Sequence, residues 1–222
     1  MLQRILEPEV MDSAEEARDY DAMDHRQVNE RFVSDLLAFW KAAGAVLDVG
    51  TGTAQIPTEL CRQSIAVKVI AVDAAQHMID LGRENVHRAG FSDRIRLDLC
   101  DAKRLPFADA FFDGVISNSI VHHIPEPASV LREIVRVVRP GGAIFVRDLA
   151  RPADDAILGG LVSQYAGDAN AHQQQMFADS LHAALTVSEV GSLIAALGFS
   201  IDSVRMTSDR HWTWAAIKPA IG

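Results

Sequence analysis

The chain has 222 residues, of which 49% are hydrophobic and 23% are charged. This length allows one domain with a full hydrophobic core, which excludes a peptide or a scaffold held together by disulfides. Its 30 acidic residues outnumber 21 Lys and Arg and give a formal charge of -9, so the balance offers no broad surface for nucleic acid.

The cysteine count and the N-terminal residues indicate a cytoplasmic protein. Only Cys61 and Cys100 are present, so neither a disulfide framework nor a cysteine-rich metal site is available. Acidic residues interrupt the N-terminal "MLQRILEPEVMDSAEE" where a signal peptide needs an apolar core, and no later run approaches ~20 apolar residues. We therefore expect no membrane partner.

In chain order, the first 43 residues predict helices that form a lid, and β-rich runs then alternate with helical patterns. The β-rich runs lie at 45–50, 67–73, 95–100, 112–118 and 143–149. This βαβ order predicts a doubly wound α/β fold, whose parallel sheet is covered by helices on both faces.

The later segments complete one expected domain over 1–222. "PASVLREIVRVV" has helical periodicity and is predicted to end at Pro140-Gly141-Gly142. Residues 151–185 predict an irregular or helical insert. Thr186 and Glu189 form a capping box, and the strands "FSIDSVRM" and "HWTWAAIK" follow. The parts are therefore a lid (1–43), a cofactor-binding core (44–150), a substrate-side insert (151–185) and a C-terminal helix with strands (186–222).

The segment "AVLDVGTGTAQIP" (45–57) has the layout of a strand, a glycine turn and a helix start that binds a nucleotide-like ligand. Nicotinamide dinucleotides, flavins and S-adenosylmethionine all use this arrangement. A dinucleotide fingerprint requires a third glycine where this chain has Gln55, which weakens the NAD interpretation.

Three acidic residues accompany the glycines. Asp48 lies in the strand before them, Asp73 ends the next strand at a position suited to ribose hydroxyls, and Asp101 follows the third strand. Strand ends of a parallel sheet meet at one edge, so we expect the three carboxylates to serve one crevice.

These residues resemble the class I S-adenosylmethionine-dependent methyltransferases. The resemblance runs through "VLDVGTGTA", "AVDAAQHMI", "LCDAKRLPF", "FDGVISNSIVHHI" and "VVRPGGAIFVRD", in the family's order, and covers roughly residues 20 to 217. The small ubiquinone- and menaquinone-biosynthesis methyltransferases look most similar. The resemblance implies a Rossmann-like fold with a mostly parallel sheet and an antiparallel C-terminal strand, and S-adenosylmethionine as cofactor with S-adenosylhomocysteine as product.

The resemblance also implies roles for single residues. The glycine loop would approach the methionine portion with Asp48 near its ammonium group, and Tyr20 would reach its carboxylate. Asp73 would bind the ribose, while Asp101 and the Ala102 amide would contact the adenine. The full expected cofactor set is Tyr20, Asp48, Gly50, Thr51, Gly52, Asp73, Ala74, Met78, Asp101, Ala102, Asn118 and Ser119.

Methyl transfer from a sulfonium is an in-line displacement that mainly needs alignment, and a base only if the nucleophile must lose a proton. The candidates for such a base are His122, His123 and His182, although adjacent histidines are expected to point in different directions. We expect no metal, because the histidines lack a recognisable ligand spacing. Candidate substrate-binding residues are Asp148, Tyr165, Phe177 and His211.

The sequence thus predicts a methyltransferase, monomeric or homodimeric, that acts on a small-molecule methyl acceptor. An RNA or protein methyltransferase remains an alternative, but no basic stripe or Asn/Asp-Pro-Pro-Tyr/Phe motif supports it. A non-catalytic methyltransferase-like binding subunit is a further alternative. The complete set of acidic residues and glycines argues against that one.

Overall fold

A computed structural model describes residues 2–7, 13–22 and 25–220. The helices are α1 (Ala14–Ala22), α2 (Arg26–Phe39), α3 (Gln55–Gln63), α4 (Gln76–Ala89), α5 (Pro127–Val137), α6 (Asp155–Ala166), α7 (Ala171–Ala183) and α8 (Val187–Ala195). The strands are β1 (Gly44–Val49), β2 (Val67–Asp73), β3 (Ile95–Leu99), β4 (Phe112–Asn118), β5 (Val138–Leu149), β6 (Val204–Met206) and β7 (His211–Ile217). The helices predicted within residues 1–43 are α1 and α2, whereas residues 2–7 form no helix and positions 1, 8–12 and 23–24 lie outside the described residues. Their role as a lid stays a prediction.

The strands form one seven-stranded sheet in the order β3-β2-β1-β4-β5-β7-β6. β1 pairs in parallel with both β2 and β4, and β2 pairs in parallel with β3. β6 pairs with β7 in the antiparallel sense. The predicted doubly wound sheet with an antiparallel C-terminal strand is confirmed, and the carboxyl ends of β1, β2 and β4 lie along one edge.

The described residues divide into two compact units. The glycine-loop unit comprises residues 13–22, 25–118, 132–146 and 215–220, and the histidine unit comprises residues 2–7, 119–131 and 147–214. Each unit has a hydrophobic core of its own. In the glycine-loop unit, α2 inserts the fully buried Phe32 and Leu36 into a core with Val46 and Ile116.

The core of the histidine unit is smaller. Helices α6 and α7 contribute Leu161 and Leu181 to one buried cluster with Leu149 from β5. Trp214 on β7 is fully buried and meets Phe199 edge-to-face at 5.2 Å between ring centroids. Helix α7 also carries Ser180 and His182, two of the polar side chains considered below.

Two predicted boundaries differ from the structure. The Pro140–Gly142 segment belongs to β5 instead of terminating the preceding helix, because Gly141 adopts φ +75° and donates its N–H to Lys218 at 2.8 Å. The strand predicted from Phe199 starts only at Val204, since Ile201–Ser203 form a 3₁₀ turn. The insert over 151–185 is helical.

Within the described ranges, none of the helices combines the length and apolar character that crossing a membrane requires.

The glycine contacts predict opposite effects of the same substitution at two sites. A Cβ at Gly114 in β4 would lie 2.5 Å from the Trp40 ring, whereas one at Gly159 in α6 would meet nothing within 4 Å. We expect Gly114→Ala to lower the free energy of unfolding by about 1–3 kcal/mol through overpacking. Gly159→Ala should raise it by about 0.5–1 kcal/mol, because alanine favours the helix. Urea denaturation measures both, and equal effects would contradict this packing.

Candidate functional site

The loop between β1 and α3 requires glycine at two positions. Gly50 and Gly52 have φ of +74° and +53°, in the left-handed region that glycine adopts without strain. The Gly50 and Thr51 N–H groups both donate to Val72 in β2, at 2.8 and 2.9 Å, which turns the chain sharply at the end of β1. A Cβ on Gly52 would lie 3.4 Å from the Tyr20 ring. The sequence prediction of a tight glycine loop is confirmed.

Asp73 connects this loop to the end of β2. One carboxylate oxygen accepts the Gly52 N–H at 2.8 Å, and the other accepts the Ala75 N–H at 3.0 Å, just before α4. A carboxylate accepts hydrogen bonds through both of its oxygens. This arrangement suits a pair of adjacent hydroxyl groups.

Asp48 is a buried acceptor that still needs a donor. Only 2% of the residue is exposed, and its Oδ2 has no hydrogen-bond partner within the described part of the chain. Burial, opposed by the neighbouring Thr51 hydroxyl and assisted by the charge of Asp73, raises the pKa of Asp48 to about 7. A cationic donor placed here would satisfy Asp48, so the site fits the ammonium group of a methionine moiety.

Helix α1 lies beside the glycine loop. Ala17 packs with Ala75 and Met78 of α4 in a small apolar cluster that also includes Tyr20. Burial and then the charges of Asp73 and other nearby carboxylates raise the pKa of Tyr20 to about 12. The Tyr20 hydroxyl therefore remains a hydrogen-bond donor across the physiological pH range.

The remaining predicted cofactor residues follow the ends of β2, β3 and β4. Ala74 is exposed and Ala102 is half-buried. Asp101 accepts the Lys103 N–H at 2.9 Å and keeps 53% of its side chain exposed. Asn118 ends β4, and Ser119 adopts φ +59°. Their assignment to a cofactor stays a prediction.

In the histidine unit, His122 is held from two directions by Asp148. The His122 Nδ1 lies 2.6 Å from one carboxylate oxygen, and the backbone N–H of His122 donates to the other at 2.9 Å. Asp148 is fully buried and also accepts the Leu149 N–H at 2.6 Å. Burial opposes protonation of His122, but the Asp148 carboxylate outweighs it and raises the pKa of His122. Asp148 thus orients His122. The sequence predicted that Asp148 contacts the substrate, but its buried carboxylate is already occupied by His122 and Leu149.

The sequence analysis missed Glu7. Its Oε1 lies 3.0 Å from Nδ1 of His123 and 3.5 Å from Nε2 of His122. The two imidazole centroids are 4.0 Å apart, so the expectation that the adjacent histidines point apart is wrong. The cause is local, since Val121–His123 form a single 3₁₀ turn instead of extended backbone. More than a hundred residues separate Glu7 from the histidines, so no sequence spacing indicates the contact.

Arg4 fixes the segment that carries Glu7. Its guanidinium donates to Ala183 at 2.7 Å, to Ile124 at 2.9 Å and to His122 at 3.2 Å, in each case at the backbone carbonyl. The Ile5 N–H also donates to the His182 carbonyl at 3.2 Å. These hydrogen bonds hold the segment 2–7 against the 3₁₀ turn Val121–His123, which is called the histidine turn below.

The other predicted acceptor-side residues occupy different environments. Nδ1 of His182 is buried with no hydrogen-bond partner in the ranges that the structure covers. Tyr165 is 41% exposed, donates to Asp209 at 2.6 Å and is covered by the Arg210 guanidinium at 3.3 Å from the ring centroid. Phe177 packs against the core of α6 and α7. His211 bonds to the Ser208 hydroxyl at 2.9 Å, and burial lowers its pKa to about 4.

Comparisons with known proteins agree with this geometry. Residues 47–146 match the family model described as a methyltransferase domain. The ubiquinone/menaquinone biosynthesis C-methyltransferase UbiE of Geobacter sulfurreducens is 27% identical over 175 residues, which cover 72% of this chain and 66% of that protein. The chain spans 38 to 66% of the length of the first curated relatives that it matches.

Two solved structures share the fold. An S-adenosylmethionine-dependent methyltransferase from Aquifex aeolicus superposes with a TM-score of 0.67 at 19% identity, covering 92% of this chain and 98% of that one. The plantazolicin methyltransferase BpumL in complex with S-adenosylhomocysteine gives 0.70 at 16% identity, covering 92% and 89%. The chain is thus similar in sequence to methyltransferases and shares the fold of S-adenosylmethionine-dependent methyltransferases.

Proposed function

We propose that this protein is a cytoplasmic S-adenosylmethionine-dependent methyltransferase that acts on a small-molecule metabolite. The observation that carries the proposal is the buried, unpartnered Oδ2 of Asp48 beside a loop that is shaped by two left-handed glycines. When bound, the cofactor supplies a methyl group on a sulfonium. The protein residues hold it, orient it and exclude water.

In this proposal each residue of the glycine-loop unit has a separate task. Asp48 accepts hydrogen bonds from the methionine ammonium, and Asp73 accepts hydrogen bonds from the ribose hydroxyls. Tyr20 donates to the methionine carboxylate, which its raised pKa favours. Met78 and Ala74 pack by the adenine, and Asp101 with the Ala102 amide contacts its edge. Thr51, Asn118 and Ser119 complete the predicted set.

The proposed acceptor is a small molecule because neither charge nor composition supports a polymer. The chain carries a formal charge of -9, which opposes binding to a phosphate backbone. A relative with an ubiquinone/menaquinone biosynthesis name also favours a metabolite. We assign the acceptor side to His122, His123 and His182, with Tyr165, Phe177 and His211 as further candidates. Asp148 contributes through the orientation of His122.

The cofactor assignment predicts micromolar binding of S-adenosylmethionine and S-adenosylhomocysteine, and no measurable binding of NAD or NADP. Asp73→Ala should weaken S-adenosylhomocysteine by about 2–4 kcal/mol, because it removes charge-assisted hydrogen bonds to the ribose. Asp98→Ala is the control, since Asp98 pairs with exposed Arg96. Calorimetry decides the matter: NAD binding, or equal affinities in both variants, would overturn the assignment.

The raised pKa of Asp48 predicts that cofactor affinity depends on pH. Because Asp48 has a pKa of about 7, the group is mostly protonated at pH 6 and must lose its proton to pair with an ammonium. Affinity for S-adenosylhomocysteine should therefore fall as pH decreases from 8 to 6, by up to about tenfold per pH unit below 7. Asp48→Asn should bind more weakly and show a flat profile. Proton release measured by calorimetry in two buffers provides the check, and a flat wild-type profile would contradict the proposal.

The substrate class can be tested without knowing the acceptor. The purified protein is incubated with cell extract and tritiated S-adenosylmethionine, and the extract is then separated by size. We expect label in the low-molecular-weight fraction, and we expect Asp73→Ala to abolish it. Label that appears chiefly in RNA or protein would favour the alternative substrate classes, and no labelling above the variant would favour a binding subunit.

A further inference from the structure

We propose that Glu7, His122 and His123 form a binding site for a divalent transition-metal ion of the zinc type. The three side chains each offer one ligand atom, and all three atoms lie within 4.8 Å of one another. The proposal goes beyond methyl transfer and does not depend on it. It also reverses the sequence-based expectation of no metal, which considered the histidines without Glu7.

The spacing of the ligand atoms is close to what a metal ion would impose. Zinc binds imidazole nitrogen and carboxylate oxygen at about 2.0–2.2 Å, so two ligands at a tetrahedral angle are about 3.3 Å apart. The Glu7 Oε1 lies 3.0 Å from His123 Nδ1 and 3.5 Å from His122 Nε2. The two histidine ligand atoms lie within 4.8 Å of each other, so they must move closer together to share one ion.

Asp148 supplies the second feature of a metal-binding histidine. A ligating imidazole usually donates its other ring N–H to a carboxylate, which fixes the tautomer and the ring orientation. His122 has that geometry, because its Nδ1 lies 2.6 Å from Asp148. A proton on Nδ1 leaves the lone pair on Nε2, which is the atom that faces Glu7.

The carboxylate of Glu7 is oriented in a similar way. The Ser180 hydroxyl on α7 lies 3.2 and 3.3 Å from its two oxygens and donates to them. Arg4, three residues earlier, holds the segment through backbone carbonyls of the histidine turn and α7. The third ligand is therefore positioned by two independent elements.

The ligand set and its partial burial select the kind of ion. Two imidazoles and one carboxylate suit zinc and its neighbours in the first transition series better than calcium or magnesium, which prefer all-oxygen sites. His122 is buried, whereas His123 and Glu7 keep 19% and 15% of their side chains exposed. Solvent access at these two residues leaves room for an external oxygen, nitrogen or sulfur ligand on the ion. Three protein ligands plus one exchangeable ligand are typical of a reactive zinc site.

The competing interpretation is an ion-pair network. In it, the two imidazoles pair with Glu7 and Asp148 with no metal involved. Both interpretations predict that removing a member destabilises the turn, so stability alone does not separate them. Metal affinity does, because only the metal site binds zinc saturably through these atoms.

The test is a zinc titration of the full chain, freed of any purification tag and stripped with a chelator. We expect calorimetry to give one zinc per chain at micromolar affinity or tighter, together with a rise in melting temperature. Cobalt in place of zinc should give visible absorption bands characteristic of four- or five-coordination. The absence of saturable binding in the wild-type chain would overturn the proposal.

Three variants and a control locate the ion. Glu7→Gln and His123→Gln keep the side-chain shape at partly exposed positions and should abolish the saturable binding and the cobalt spectrum. Asp148→Asn should weaken zinc by about 10- to 100-fold, because it disturbs the tautomer of His122. His172→Gln, on the exposed face of α7, should bind as the wild type does. Circular dichroism verifies folding, and equal affinity in the Glu7, His123 and His172 variants would assign zinc to another place and refute the site.

Discussion

The hydrogen bond from the Gly52 N–H to Asp73 is the contact on which the glycine-loop unit depends. It joins the left-handed turn after β1 to the carboxyl end of β2, and the same carboxylate accepts the Ala75 N–H at the entrance to α4. Charged acceptors strengthen such bonds, so one side chain fixes the loop and two neighbouring elements together. The conformation of the loop is consequently fixed by contacts within the protein.

Much of the glycine-loop unit could be predicted from the sequence because its signals are local. The strand β1, the glycines at 50 and 52 and the terminal position of Asp73 lie within about one βαβ unit, where periodicity and turn chemistry are informative. The run around Pro140 was misread for the opposite reason. Pairing with Lys218, far along the chain, converts a helix-stopping sequence into strand.

The histidine unit could be predicted only in part, since its main contacts join remote positions. The sequence singled out His122, His123 and Asp148, but it assigned Asp148 to the substrate although the structure buries it against His122. Glu7 carries no signal of its own, because an isolated glutamate in a polar segment resembles any solvated residue. Its place follows from Arg4, whose carbonyl partners are created only when the histidine turn and α7 have folded.

The buried carboxylate of Asp48 also bears on how long the protein survives in a cell. With a folded pKa of about 7 against 3.8 for an exposed aspartate, the native empty chain binds more protons than the unfolded chain between these values. Its stability therefore declines as pH rises from about 4 to 7, and at neutral pH it carries an unrelieved electrostatic cost. A bound cation removes that cost and shifts the population away from states that proteases recognise. In the proposed function, the supply of the cofactor would therefore raise the stability of the chain.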